Sequence, residues 1–371
     1  MVLRYLWVAG APKIACYQVI GLRELGYDAR LKILAVSPRY RGEYDQILKG
    51  VPHDKVRAPN VICGVERALN RIAFGEFREG ERALPIYALA RSICDKEIAR
   101  SSALICHDPF SGIAGYIHRR LFNILYVIYV HEVPFGVRKF SLVEKEVLEN
   151  ADMILTVSDK ISRVIRKAIK CKNVIPLPPG LPAEVKDLQF LLEKSKSPKK
   201  YVLTAARWDI RRRPDWVIEA AKRVKELNFI VLGYWQSQSL LASFLRKAHN
   251  LKNVIVLRGT ISEEKLKHVL RRAMIVVRLN VQEYGIATIA WEAVHMGVPV
   301  IVNSELGVAD YINKFKAGVV IPKIDPTLIE HAINEILGDY ERYVRNCVKL
   351  ASSYDVRSQA ERLAKILYEL Y

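Results

Sequence analysis

The sequence predicts an α/β protein with two parallel-sheet domains. Apolar runs typical of buried strands alternate along the chain with segments of helical periodicity. Residues 274–303 show the pattern most clearly, because an apolar run at 274–277, a helical segment and a second apolar run at 298–302 follow one another there. The chain has 371 residues, of which 51% are hydrophobic, and this is enough for two sizeable cores.

In the first half, the apolar runs predict strands at residues 2–9, 28–35, 103–106, 124–130 and 173–178, with helices at 14–25, 87–100 and 112–120. Gly10, Ala11 and Pro12 predict a turn between the first strand and the first helix. Residues 38–83 have no clear period and are predicted only as mixed helix and loop. Ser158 is the expected cap of a further helix, with an approach to a bound ligand as the alternative.

A boundary is predicted after Pro178, Pro179 and Gly180, where a linker with lysines at 194, 196, 199 and 200 begins. The predicted domains are therefore residues 1–186 and 200–354. The second half has predicted strands at 201–206, 228–232, 253–257, 274–277, 298–302 and 318–321. Helices are predicted near 240–249 and 326–337, another helix opens at Ser262, Glu263 and Glu264, and a final helical region covers 340–371.

Two carboxylates flank the start of the helix in residues 278–303. Backbone N–H groups at a helix N-terminus are partly positive and suit a phosphate, and Gly285 lets the backbone approach such a ligand. Glu283 and Glu292 could then accept hydrogen bonds from hydroxyls on either side of the phosphate, as in a sugar nucleotide. The alternative is an ordinary strand-helix-strand unit, with Glu283 as a cap and Glu292 on a solvated face.

Two further groups of residues follow strands, where α/β folds place chemistry. Arg207 and Arg212 lie in one loop and can converge on a diphosphate, because a guanidinium binds phosphate in a bidentate manner. Such cations would stabilise the charge that develops on a leaving group, although a solvated basic loop is the alternative. His107 and His131 each follow a strand of the first half, and a structural role is the alternative for both.

Residues 278–303 resemble the signature of the retaining glycosyltransferases of family 4, the glycosyl transferases group 1 family. That signature is Ser-x-x-Glu-x-Phe-Gly, a helix with a second Glu, and Gly-x-Pro-Val-Ile. The chain has one residue more than the family usually has between the two glutamates and lacks the residue before the aromatic, which indicates a remodelled loop. The matching residues are Asn280, Glu283, Tyr284, Gly285, Glu292, Ala293, Gly297, Pro299, Val300 and Ile301.

The resemblance implies a GT-B fold, with two Rossmann-like parallel-sheet domains facing a central cleft and a helix at about 355–371 crossing back onto the first domain. It implies a glycosyltransferase that moves a sugar from a nucleoside diphosphate sugar to a glycan, lipid-linked glycan or protein, with retention at the anomeric carbon. The implied catalytic residues are His131 and Glu283, the diphosphate-binding residues Arg207, Arg212, Gly285 and Ile286, the ribose-binding residue Glu292, and further candidates Gly10, His107 and Gly259.

The net charge of +19 is spread over both halves and favours anionic partners such as sugar nucleotides, anionic lipid surfaces or nucleic acid. A thermophile-like surface rich in Lys, Arg and Glu is the alternative. No Asp-x-Asp occurs, so the predicted reaction uses neither a metal nor another cofactor. The six cysteines show no metal spacing or disulfide framework, which suits a reducing cytoplasm.

The longest apolar run, residues 121–130, is far shorter than the roughly 20 residues of a membrane-spanning helix. We therefore expect a cytoplasmic protein, with peripheral contact on the inner membrane face as an addition. Residues 134–140, PFGVRKF, interleave apolar and basic side chains and either rest on an anionic membrane carrying a lipid-linked glycan or form a solvated loop.

Rival functions stay open at this point. Another GT-B enzyme, such as a sugar-nucleotide epimerase or an inverting transferase, would share the phosphate contacts. A basic nucleic-acid-binding protein without transferase activity would need a surface stripe with stacking aromatics, and no such motif is present, so nucleic acid is not expected as a partner. The third rival function is that of an inactive scaffold on a membrane, which the altered spacing between Glu283 and Glu292 leaves open.

Overall fold

The computed structural model describes residues 1–6, 10–36, 42, 44–55, 86–133, 140–170, 173–184, 192, 200–212, 214–281 and 284–371. Several features of the sequence lie outside these residues: most of the region at 38–83, the segment 134–139, three lysines of the linker, Arg213 and Glu283. The chain divides into two compact units. Unit 1 comprises Met1–Gly180 and Val356–Tyr371, and unit 2 comprises Leu181–Asp355.

Within its described residues, unit 1 has a seven-stranded parallel sheet in the order β3-β2-β1-β4-β5-β6-β7. Strand β5 (Leu125–Val130) lies in the interior of this sheet and is buried along its whole length, which agrees with its continuous apolar run, because helices cover both faces of a parallel sheet. The strands are β1 (Val2–Leu6), β2 (Leu31–Val36), β3 (His53–Lys55), β4 (Ala103–Cys106), β5 (Leu125–Val130), β6 (Met153–Thr156) and β7 (Val174–Pro176).

Serine side chains cap two helices of unit 1, α6 (Leu142–Glu149) and α7 (Asp159–Ala168). Ser158 caps α7 by accepting a hydrogen bond from the Ile161 N–H, so the expected capping role is confirmed. Ser141 and Glu144 form a capping box at the start of α6. The helices are α1 (Gly10–Glu24), α2 (Asp45–Lys49), α3 (Ile86–Ile93), α4 (Lys96–Ala99), α5 (Gly112–Phe122), α6 (Leu142–Glu149), α7 (Asp159–Ala168) and, at the end of the chain, α15 (Val356–Leu370).

Two predictions for unit 1 are wrong. Gly10 begins helix α1 instead of forming a turn, and Pro12 is tolerated there because N–H groups of the first helical turn have no partner within the helix. The single helix predicted at 87–100 is two helices. Asp95 starts the second of them, since its side chain accepts hydrogen bonds from the N–H groups of Glu97 and Ile98.

Unit 2 contains a six-stranded parallel sheet in the order β10-β9-β8-β11-β12-β13 among its described residues. The strands are β8 (Tyr201–Ala205), β9 (Asn228–Gly233), β10 (Val254–Arg258), β11 (Ile275–Arg278), β12 (Val300–Asn303) and β13 (Gly318–Ile321). The helices are α8 (Asp215–Arg223), α9 (Gln238–Ala248), α10 (Glu263–Arg272), α11 (Thr288–His295), α12 (Ala309–Phe315), α13 (Pro326–Gly338) and α14 (Tyr340–Ser353).

The strand order of each sheet reverses at one place. In unit 1, β1 lies between β2 and β4, and in unit 2, β8 lies between β9 and β11. The loops that leave the two strands on either side of such a reversal diverge, so a crevice opens outside their carboxyl ends, and ligands bind there in open α/β sheets.

No helix in the part of the chain that the structure describes combines the length and the apolar character needed to cross a membrane.

The contact between α1 and α15 within unit 1 gives a test of the packing. A Cβ at Gly21 would lie 2.8 Å from the Ala360 Cβ and 2.8 Å from the Val356 carbonyl oxygen. We expect Gly21→Ala to lower the free energy of unfolding by about 1–3 kcal/mol, because the two helices must move apart.

Gly338→Ala in α13 is the matched control, since a Cβ there would meet nothing within 4 Å. Alanine favours a helix, so this change should leave stability unaltered or raise it by up to about 1 kcal/mol. Urea unfolding measures both, and an equal effect at the two glycines would contradict the close packing of α1 on α15.

Candidate functional site

The loop after β8 gathers three arginines around one buried aspartate. Asp209 is 4% exposed, and its Oδ1 accepts hydrogen bonds from the N–H groups of Arg211 at 2.9 Å and Arg212 at 3.0 Å. Its Oδ2 lies 3.4 Å from Arg212 Nη1, 3.5 Å from Arg211 Nη2 and 3.9 Å from Arg207 Nη2. The two arginines predicted to bind a diphosphate are therefore held together with a third.

Asp209 and Arg211 are absent from the predicted site. The signal that could have identified Asp209 is its spacing, because an aspartate two residues before a basic run can hydrogen-bond the backbone of that run and shape a turn.

The loops after β11 and β12 are hydrogen-bonded to their neighbours at the same edge of the sheet. The Val281 N–H donates to the Arg211 carbonyl at 3.3 Å. This hydrogen bond joins the loop at residues 206–212, the arginine loop, to the segment after β11. The Asn303 side chain accepts from the Asn280 N–H at 2.9 Å and donates to the Asn280 carbonyl at 2.8 Å. The loops after β8 and β11 thus meet at the reversal of strand order.

The start of α11 lies in this region. Gly285 and Ile286 are buried just before it, and the Gly285 carbonyl accepts a hydrogen bond from the Gly307 N–H at 2.9 Å. Ala287 is the N-terminal cap residue, in the left-handed conformation with φ of 51°. Glu283, predicted to contact the sugar, lies outside the described residues.

Glu292 is buried, so the alternative that placed it on a solvated face is wrong. It is only 6% exposed, and its helix α11 buries residues on every side. A carboxylate removed from water in this way needs hydrogen-bond or ionic partners. The helix itself carried the signal, because a helix that is apolar all round is a buried one.

The two glycine candidates have defined backbone roles. Gly259 has φ of +95°, and its N–H donates to the Gly233 carbonyl at 3.0 Å. That amide is therefore committed to the fold of unit 2. Gly10 lies in the first turn of α1, after β1 and beside the reversal of strand order in unit 1.

The structure brings the two predicted histidines of unit 1 together. His107 Nδ1 lies 3.1 Å from His131 Nε2, after the adjacent strands β4 and β5. The Tyr129 ring lies 4.9 Å from the His131 ring, and the Tyr129 hydroxyl donates to the Leu177 carbonyl. The pair is thus packed against a hydrogen-bonded tyrosine.

Burial keeps both imidazoles neutral. It lowers the pKa of His131 to about 3, and burial together with the neighbouring His131 lowers the pKa of His107 well below its usual 6.5. His107 Nε2 lies 3.4 Å from Met1 Sδ, and a thioether accepts but never donates a hydrogen bond. With its proton on Nε2, His107 would donate to this sulfur; its Nδ1 would then accept from His131 Nε2–H, and His131 Nδ1 would be left as an acceptor.

Residues 187–351 match the model of the family described as glycosyl transferases group 1. The solved structure of Anabaena HepE in complex with UDP and glucose is similar over 100% of both chains, with 14% identity and a TM-score of 0.71. Sucrose-phosphate synthase from Thermosynechococcus elongatus is similar over 100% of this chain and 99% of its own, with 16% identity and a TM-score of 0.73.

WaaG, a glycosyltransferase involved in lipopolysaccharide biosynthesis, is similar over 99% of both chains, with 14% identity and a TM-score of 0.67. No curated protein matches the sequence. Likeness at these identities establishes the fold, and the predicted GT-B class is confirmed.

The buried histidines predict how stability depends on pH. Their folded pKa values lie below that of an unfolded histidine, so the unfolded chain binds more protons below pH 6.5. Their contribution to stability is present above pH 6.5 and is lost as the pH falls toward the folded values. We expect His107→Asn to make this loss shallower by about 1 kcal/mol per pH unit.

Urea unfolding at pH 7 and pH 5 measures the effect. His249→Asn is the control, because His249 is exposed at the end of α9. The same pH dependence in wild type and His107→Asn would show that the pair does not titrate as its burial requires.

Proposed function

We propose that this chain, whose residues 187–351 match the glycosyl transferases group 1 model, moves a sugar from a nucleoside diphosphate sugar to an acceptor and retains the anomeric configuration. Glycosyl transfer is the activity of that family, and the donor and the stereochemistry are our inference. The observation that carries it is the hydrogen-bonded meeting of the arginine loop and the segment leading to α11 at the strand reversal of unit 2.

The donor's diphosphate is the group that this arrangement suits best. Arg207 and Arg212 can bind phosphate oxygens in a bidentate manner, and the start of α11 adds the partial positive charge of unpaired N–H groups. Both the arginines and the helix N-terminus stabilise the negative charge that develops on the leaving group, and in this proposal they do so without a metal ion. HepE was solved with UDP, which favours a UDP sugar as the donor.

The remaining roles follow the resemblance. Glu292 is a buried carboxylate on α11 and accepts hydrogen bonds from the ribose hydroxyls. Glu283 contacts hydroxyls of the transferred sugar. His131, neutral and with Nδ1 as an acceptor, contacts a hydroxyl of the sugar and does not act as a charged acid.

Retention needs no protein nucleophile in this mechanism. The bond between the anomeric carbon and the leaving phosphate breaks, the acceptor oxygen forms its bond to the same face, and its proton passes to the leaving phosphate. The acceptor in this proposal is a glycan, a lipid-linked glycan or a protein.

A thermal-shift experiment tests the donor site. UDP at about 100 times its Kd should stabilise the wild type by about 2.7 kcal/mol and raise its Tm by several degrees. Arg207→Ala and Glu292→Ala should each remove that increase, whatever the Tm of the variant without ligand. Arg345→Ala, which removes an exposed arginine of α14, is the control and should keep it. A wild type whose Tm is unmoved by UDP, GDP and ADP would refute the proposed donor.

The stereochemistry has its own test. With a UDP sugar of α configuration, the product is expected to have an α linkage, which the anomeric coupling constant in the proton NMR spectrum reports. A β-linked product would identify an inverting enzyme, and a free altered sugar nucleotide would identify an epimerase.

A further inference from the structure

We propose that Asp209 is a positioning residue that holds Arg207, Arg211 and Arg212 in the arrangement that receives the donor's diphosphate. This inference rests on the proposed function. Asp209 acts through the arginines, and Arg211 joins the two that the sequence predicts.

The two oxygens of the Asp209 carboxylate contact different groups. Oδ1 accepts hydrogen bonds from two successive N–H groups and so sets the backbone of the loop. Oδ2 faces the guanidinium groups, at 3.4 Å from Arg212 and 3.5 Å from Arg211. One side chain therefore fixes both where the arginines leave the backbone and where their charged ends lie.

Charge explains why the loop needs such a residue. Arg212 has a side chain that is only 9% exposed, and three guanidinium groups brought together repel one another. One buried carboxylate offsets part of this repulsion and leaves a net charge of about +2 on these four side chains. That remainder complements a diphosphate, whereas full neutralisation would remove the attraction.

A hydrogen bond to the neighbouring segment fixes the position of the arginine loop. The Arg211 carbonyl accepts from the Val281 N–H, so the backbone set by Asp209 is attached to the segment after β11. A displacement of the arginines relative to the start of α11 would misalign the two halves of the phosphate site, and misplacements of about 1 Å are costly in such sites.

The test is Asp209→Asn, which keeps the size of the side chain and an oxygen for the two N–H groups but replaces the oxygen that faces the arginines with an NH₂ group. Calorimetry with UDP and UMP gives the ratio of their affinities. We expect the preference for UDP over UMP to fall about tenfold in the variant, together with a rise in KM for the donor that exceeds the fall in kcat. A purely structural role would lower Tm and leave the preference intact.

Asp28→Asn is the matched control. Asp28 also contacts two arginines, Arg23 at 3.3 Å and Arg30 at 3.3 Å, but on the exposed surface of unit 1. Its variant should bind UDP and UMP as the wild type does.

The outcomes separate this inference from the proposed function. A wild type that binds neither nucleotide refutes the function itself. A wild type that prefers UDP, with an equal preference in Asp209→Asn, overturns the role of Asp209 alone. If Asp209→Asn fails to fold, Arg211→Gln decides, because this partly exposed arginine can be removed with less damage. It should lower the UDP preference severalfold, and an unchanged preference would overturn the inference.

Discussion

Parallel pairing of β8 with its two neighbours decides where the polar side chains of unit 2 meet. Val202 pairs with Phe229 of β9 on one side and with Ile275 of β11 on the other. All three side chains are buried, so a slip by one residue would turn apolar groups out of the core. The register is therefore fixed, and the chain leaves β8 and β11 side by side. The arginine loop and the segment at Asn280 meet as a consequence of apolar burial elsewhere in the sheet.

Polar residues of unit 1 also lie at the carboxyl edge of their sheet, but there they are uncharged. His107 and His131 follow adjacent strands, as the residues of unit 2 do, and they contact each other through His107 Nδ1 and His131 Nε2. Burial therefore lowers their pKa values and they remain neutral. In unit 2, Asp209 compensates the arginines, which are charged in any case. Unit 1 therefore has neutral imidazoles at this edge of its sheet, and unit 2 has charged guanidinium groups at the same edge of its own.

Local signals predicted the fold well wherever one residue type decides the outcome. The strands Ala103–Cys106 and Gly318–Ile321 have the predicted bounds, because apolar runs between polar turn residues define them. Ser158 and Ser262 begin helices, because a hydroxyl at that position accepts a backbone hydrogen bond. The error at Gly10 has the same origin, since glycine and proline mark turns in sequence and are also tolerated in a first helical turn.

The candidate site was predictable in its positions and not in its contacts. Arg207 and Arg212 follow a strand, which sequence periodicity reveals. The Asp209 carboxylate brings these two arginines together because of the path of the loop, and sequence periodicity does not describe that path. The burial of Glu292 likewise depends on what covers α11, although the apolar composition of that helix pointed to it.

The entry to α11 is held by packing within unit 2. Ala287 has the left-handed conformation, which costs a residue other than glycine about 1 kcal/mol or more. Its carbonyl accepts hydrogen bonds from the N–H groups of Ala290 and Trp291, and the Trp291 ring is fully buried against Tyr311 and Tyr354. Packing of one large aromatic side chain thus holds the strained turn in place. A backbone fixed in this way needs no reorganisation when a ligand binds, which is the property that the proposed diphosphate site requires.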